Sequence, residues 1–182
     1  GGSRGGTAVM MAIAAPISDA VLGKGQGLRA VVAGYPWCGV QFHSARIADG
    51  AGLLVISGDR DDWVSFQQCQ DATHAMEVAK QDVVMKLFPG ALHAFDRAGV
   101  PPTKIPEAVT STIYPTIYMD DAGTYYNMRT GKPDPSVTQQ ALQLYAVKGG
   151  FLHKGTTIGS QGTEAADYIK EQTDFFKARL AP

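Results

Sequence analysis

A chain of 182 residues with 45% hydrophobic and 18% charged side chains has the composition of one globular domain with a substantial core. Its formal net charge of -1 leaves no basic footprint for nucleic acid or for an anionic membrane surface. The longest apolar run, residues 8–15, is far shorter than the roughly 20 residues that span a bilayer.

The first five residues, Gly1-Gly2-Ser3-Arg4-Gly5, match G-x-S-x-G. That pentapeptide sets a serine on a tight strand-to-helix turn with its hydroxyl outward, and the flanking glycines let neighbouring backbone pass without a Cβ clash. Alone, it reads equally as a glycine-rich loop capping a helix. Residues 7–15 (TAVMMAIAA) predict a buried helix stopped by Pro16. Residues 28–33 (LRAVVA) predict a strand closed by Gly34. Residues 53–57 (LLVIS) predict a second strand, wholly apolar as in a parallel sheet covered on both faces. Phe66, Cys69, Ala72, Met76 and Ala79 recur at near-helical spacing within 66–81, and residues 83–88 (VVMKLF) predict a third strand ended by Pro89-Gly90. Residues 99–161 are rich in Pro, Gly, Thr and Tyr; they predict an irregular insert, helical over part of 136–147, that shapes a pocket. Thr163 predicts the cap of a final helix over 164–180, with Ala165, Ile169, Phe176 and Leu180 on one face. The sum is an α/β domain over 1–182 with a mostly parallel sheet and flanking helices.

Three loops at the C-terminal ends of predicted strands carry reactive side chains. Ser3 opens the first helix, Gly58-Asp59-Arg60-Asp61-Asp62-Trp63 follows LLVIS, and Pro89-Gly90-Ala91-Leu92-His93 follows VVMKLF. Strand ends are where α/β enzymes place their sites, and nucleophile, acid and base in this order match a serine-hydrolase arrangement. Asp59 and Asp62 compete with Asp61 as the acid; turn formation or solvated charge is their plainer role.

These motifs, GGSRGGTA, LLVISGDRDDW and FPGALHAFD, together with the closing DFFKARL helix, resemble the dienelactone hydrolase family of the α/β-hydrolase fold. The likeness covers residues 1–96 and 164–180, and the insert between them matches no pattern. The resemblance implies a C-terminal half of that fold whose N-terminal strands precede Gly1. An upstream segment or a second chain is therefore an expected partner. It implies Ser3 as nucleophile, Asp61 as acid and His93 as base, acting on a small-molecule ester or lactone without cofactor or metal. The backbone N–H of Arg4 would be one oxyanion donor, with the second supplied from an early strand. Founding members of the family use a cysteine nucleophile, so Ser3 points to a more general esterase branch. A serine peptidase, an acyltransferase and a non-catalytic binding protein on the same fold are the alternatives.

Tyr35 and Trp37 follow the LRAVVA strand at its site-facing end and are candidate pocket walls, with burial in the core as the plainer alternative. Cys38 shares their loop and Cys69 opens the next helix, so both fall on one edge of the sheet. They are candidates for a disulfide, which would place the protein in the periplasm or outside the cell; two separate buried thiols are the other reading. His43 lies near the presumed site edge and His74 on a predicted helix. Neither these nor His153 shows metal-ligand spacing.

Overall fold

The computed structural model describes residues 1–181. The first helix, α1 (Arg4–Ile13), begins directly after Ser3 and ends at Ala14, whose extended backbone bridges to Ile47. Pro16 does not stop this helix but opens the next one, α2 (Ala15–Leu22). A first-turn position suits proline because its N–H would have no intrahelical partner there. The strand expected over 28–33 is β1 (Ala30–Gly34), followed by the short β2 (Val40–Phe42). Next come β3 (Gly52–Gly58), α3 (Phe66–Val78) and β4 (Val83–Phe88). Ser65 starts α3 by accepting the Gln68 N–H on its side chain, which satisfies a donor the helix end leaves free.

β1, β3 and β4 form a parallel sheet in that order. Gly2 bridges Gly34 in parallel, the Gly34 N–H donates to the Gly1 carbonyl, and the Gly1 ammonium donates to the Val32 carbonyl. The residues before Ser3 therefore lie alongside β1 and pair with it in parallel. Because side chains alternate along a strand, the apolar runs supply both faces. Val31, Ala33, Leu53 and Val55 meet Met10 and Ile13 of α1 and Cys69, Ala72 and Met76 of α3. Val32, Leu54 and Ile56 meet Phe95 and Tyr168. Each fully buried Val, Leu, Ile or Phe side chain among these, buried rather than exposed, contributes about 1.5–3 kcal/mol.

Cys38 and Cys69 form a disulfide across a sequence separation of 31, tying the loop after β1 to α3. Closing a loop of that length restricts the unfolded chain and contributes about 3–4 kcal/mol in the chain-entropy account.

The stretch 99–161 is more ordered than its composition suggests. It holds β5 (Thr103–Thr110), β6 (Ile117–Met119), β7 (Tyr126–Asn127), β8 (Lys132–Pro133), α4 (Gln139–Lys148) and β9 (His153–Ile158). β5 pairs antiparallel with β9, β6 parallel with β2, and β7 antiparallel with β8. Pro106 within β5 and the register shift between Ile105 and Val109 hide that strand from a pattern reading.

The chain closes on α5 (Glu164–Leu180). Thr163 precedes it without capping a backbone N–H; its hydroxyl donates to the Asp167 carboxylate instead. The inward face is also shifted from the expected one. Tyr168 is buried and Phe175 and Phe176 pack with it, whereas Ile169 and Leu180 are exposed. The large aromatic rings fill the space beside Val32 and Ile56 that the smaller aliphatic side chains would leave open. Among the described residues, no helix is long and apolar enough to cross a membrane.

Candidate active site

Ser3 stands where the residues beside β1 turn into α1, with φ 53° and ψ -119°. Only a locally held turn keeps a non-glycine residue there. Its N–H donates to the Gly34 carbonyl and its own carbonyl accepts the Thr7 N–H, so strand and helix grip it from both sides. The glycines serve this geometry unevenly. A Cβ on Gly1 would come within 2.6 Å of the Gly5 carbonyl, and one on Gly6 within 2.7 Å of the Gly34 carbonyl. A Cβ on Gly5 would meet nothing within 4 Å. Close approach of α1 to β1 thus depends on Gly6, which lies outside the pentapeptide.

The loops after β3 and β4 bring Asp61 and His93 to Ser3. Ser3 Oγ lies 2.9 Å from His93 Nε2, and His93 Nδ1 lies 2.7 Å from Asp61 Oδ2. A carboxylate only accepts, so Nδ1 carries the proton and Nε2 is free to accept the Ser3 hydroxyl. Both side chains of the Asp61–His93 pair are almost fully buried. The other Asp61 oxygen accepts the N–H groups of Trp63 and Val64 at 2.9 and 3.0 Å, which fixes the carboxylate plane. The neighbouring aspartates are engaged elsewhere. Asp59 accepts the Gly90 N–H at 2.6 Å, and Asp62 accepts the Thr156 hydroxyl and the Thr157 N–H.

Two aromatic rings flank the imidazole. Tyr35 meets it edge-on at 4.8 Å between centroids, and Trp63 lies tilted against it at 4.9 Å. Tyr35, expected from the sequence beside Trp37 in the pocket wall, lies beneath His93 instead. Its backbone has φ 36°, a strained value for so bulky a residue, and its hydroxyl donates to Asp96 Oδ1 at 2.7 Å. Burial, then the bond to Asp96, pushes the Tyr35 phenol far above its ordinary value. Tyr168, buried near the same carboxylate, is pushed up to about 12, first by burial and then by the Asp96 charge.

A cavity of about 300 Å³ opens in front of Ser3, lined by Arg4, Thr7, Trp37, Trp63, Val109 and Ser111 among others. Arg4 is the first residue of α1, so its N–H has no intrahelical acceptor and lies at the positive end of the helix dipole. Trp37 lines this cavity. Val109 and Ser111, from the insert, and Trp63 close the other side. Trp63 is held there by its indole N–H on the Val109 carbonyl, and the Ser111 N–H donates to the Trp63 carbonyl. The sequence offered no role for Trp63 or Asp96, although each stands within three residues of Asp61 or His93. His43 is stacked on Tyr126, and His74 and His153 are exposed.

The model of the dienelactone hydrolase family matches residues 15–118, more than half of the chain. No curated protein matches it. Among solved structures, the chain is similar to esterase 2 of Thermogutta terrifontis phosphorylated by paraoxon. That match has 18% identity and a TM-score of 0.41, and covers 84% of this chain and 53% of that one. A structure of a thermophilic esterase of the same organism with propionate bound matches at 17% identity and a TM-score of 0.40, covering 84% and 55%. The chain therefore spans about half the length of these structures. It belongs to the dienelactone hydrolase family and has that family's α/β-hydrolase fold.

Proposed function

We propose that this member of the dienelactone hydrolase family cleaves carboxylic esters or lactones through an acyl-serine intermediate on Ser3. The observation that carries the reading is the unbroken hydrogen-bonded line from Asp61 through His93 to Ser3. His93 Nε2 takes the Ser3 proton as Oγ attacks the acyl carbon, and the carbonyl electrons move onto oxygen. The Arg4 N–H and the α1 dipole face that developing oxyanion. Collapse of the tetrahedral adduct expels the alkoxide, which leaves as the alcohol with the proton held on Nε2. Water then repeats the sequence on the acyl-serine and releases the acid. Asp61 keeps the proton on Nδ1 and stabilises the imidazolium, while Tyr35 and Trp63 hold the ring between them as positioning residues.

The test is covalent. A fluorophosphonate probe is expected to add once, on Ser3, and Ser3→Ala is expected to abolish both the adduct and hydrolysis of p-nitrophenyl acetate. Faster turnover of the ester than of a p-nitroanilide is expected from an esterase. An unlabelled Ser3 in folded protein would overturn the proposal, and preference for the anilide would move it to a peptidase.

A further inference from the structure

A second cavity, apolar and mostly closed, lies directly behind the first. It is walled by Met10 and Met11 of α1, Val40 and Phe42 around β2, and Ala75 and Met76 of α3. It narrows to about 40 Å³ of free space. Thr7 and Trp37 line both cavities, so they form the partition between Ser3 and this inner chamber. The two halves of that partition differ in how firmly they are held. The Trp37 backbone is clamped, its N–H donating to Thr7 Oγ1 at 2.9 Å, and the next residue, Cys38, is tied to α3 by the disulfide. The Trp37 indole, by contrast, has a buried Nε1–H with no acceptor and touches Tyr114 only edge-on. Its position is set by packing alone, and no hydrogen bond opposes a change of rotamer.

The geometry points to the inner chamber as the binding site for an unbranched aliphatic acyl chain, with the Trp37 side chain as the gate that sets how long a chain is accepted. This rests on Ser3 being the acylated residue. A carbonyl carbon held at Ser3 has its chain directed along the first turns of α1, past Thr7, toward Met10 and Met11. The occupant is apolar because the walls are chiefly thioethers, methyls and aromatic rings, and the one guanidinium at their edge, on Arg46, is paired with Asp121. The only amide among them, on Gln41, is already spent on the Cys38 and Gln68 carbonyls. Methionine walls yield readily, so a chamber this narrow can widen around a flexible chain.

The experiment compares kcat/KM for p-nitrophenyl acetate, butanoate, hexanoate and octanoate in wild type and two kinds of variant. Trp37→Ala removes the gate and is expected to raise the octanoate-to-acetate ratio by about tenfold, the gain from admitting one to two further methylenes at roughly fourfold each. Ala75→Phe fills the chamber from α3 and is expected to lower the same ratio by at least that factor. Should it fail to fold, Met11→Trp fills the space from α1. Ester turnover with ratios unmoved by a folded chamber-filling variant would overturn the chamber as acyl site. Loss of all ester turnover together with an unlabelled Ser3 would instead overturn the hydrolase reading itself.

Discussion

Asp61→Asn tests the candidate site at its least visible point. The substitution keeps the size of the side chain, so its effect is confined to where protons sit. Asp61 Oδ1 accepts two backbone N–H groups, from Trp63 and Val64. An asparagine must keep its carbonyl oxygen there, because turning its NH2 toward two donors would bury three unsatisfied groups. The amide nitrogen is therefore forced into the place of Oδ2, 2.7 Å from His93 Nδ1. That position now donates, so Nδ1 must accept, and the imidazole proton moves to Nε2. There it faces Ser3 Oγ across 2.9 Å and cannot take the hydroxyl proton. A wrong tautomer at this kind of site costs about four orders of magnitude in kcat, or about 5 kcal/mol of barrier. The assay is p-nitrophenyl acetate hydrolysis at neutral pH, beside Asp59→Asn and Asp62→Asn, with thermal melting as the control for folding. The two neighbours are expected to retain most activity. An Asp61→Asn protein that melts like wild type and keeps more than a tenth of its kcat/KM would refute the tautomer argument.

Gly6→Ala is expected to lower both melting temperature and kcat, because its Cβ would press on the Gly34 carbonyl at 2.7 Å and push α1 off β1; misplacement approaching 1 Å at a nucleophile costs on the order of a hundredfold. Gly5→Ala, whose Cβ meets nothing within 4 Å, is expected to remain active and to gain about 0.5–1 kcal/mol as a better helix former; equal damage from both would show that the motif glycine, not the helix–strand contact, is limiting. Stability is also expected to fall as pH rises between about 10 and 12. In that window the unfolded chain releases the Tyr168 proton that the folded chain, with its phenol pushed up to about 12, still holds. Thermal melting of Tyr168→Phe should therefore be flatter with pH over this range than that of wild type, and parallel curves would contradict the assignment.

The chain order of Ser3, Asp61 and His93 was legible because the strands before Asp61 and His93 are apolar runs that need no partner to be read. β3 is a wholly buried apolar run and β4, half exposed at the sheet edge, is still a run of strand length rich in aliphatic side chains, and parallel strands deliver their succeeding loops to one edge. The order along the chain therefore became an order in space. The features that failed to read are those that depend on a partner distant in sequence. β5 carries a proline and mostly exposed side chains, and it is a strand only because β9 pairs with it some forty residues later. Tyr168, Phe175 and Phe176 do share one face of α5, but Ala165, Ile169, Phe176 and Leu180 share another, and the volume beside Val32 and Ile56 decides which turns inward. Pro16 misled for a local reason, since a proline can end one helix or begin the next, and only the extended backbone at Ala14 decides. Tyr35 combines both difficulties. Its place at a strand end made it look like a wall of the cavity, but a φ of 36° turns the side chain beneath His93, where Asp96 holds its hydroxyl. Strain of about 1–3 kcal/mol persists only where surrounding contacts over-determine the residue. Here the Ile56 carbonyl fixes its N–H, Asp96 its hydroxyl, and the imidazole its ring. The strain sits next to His93, which ties the strained backbone to the geometry of that imidazole rather than to the shape of the cavity.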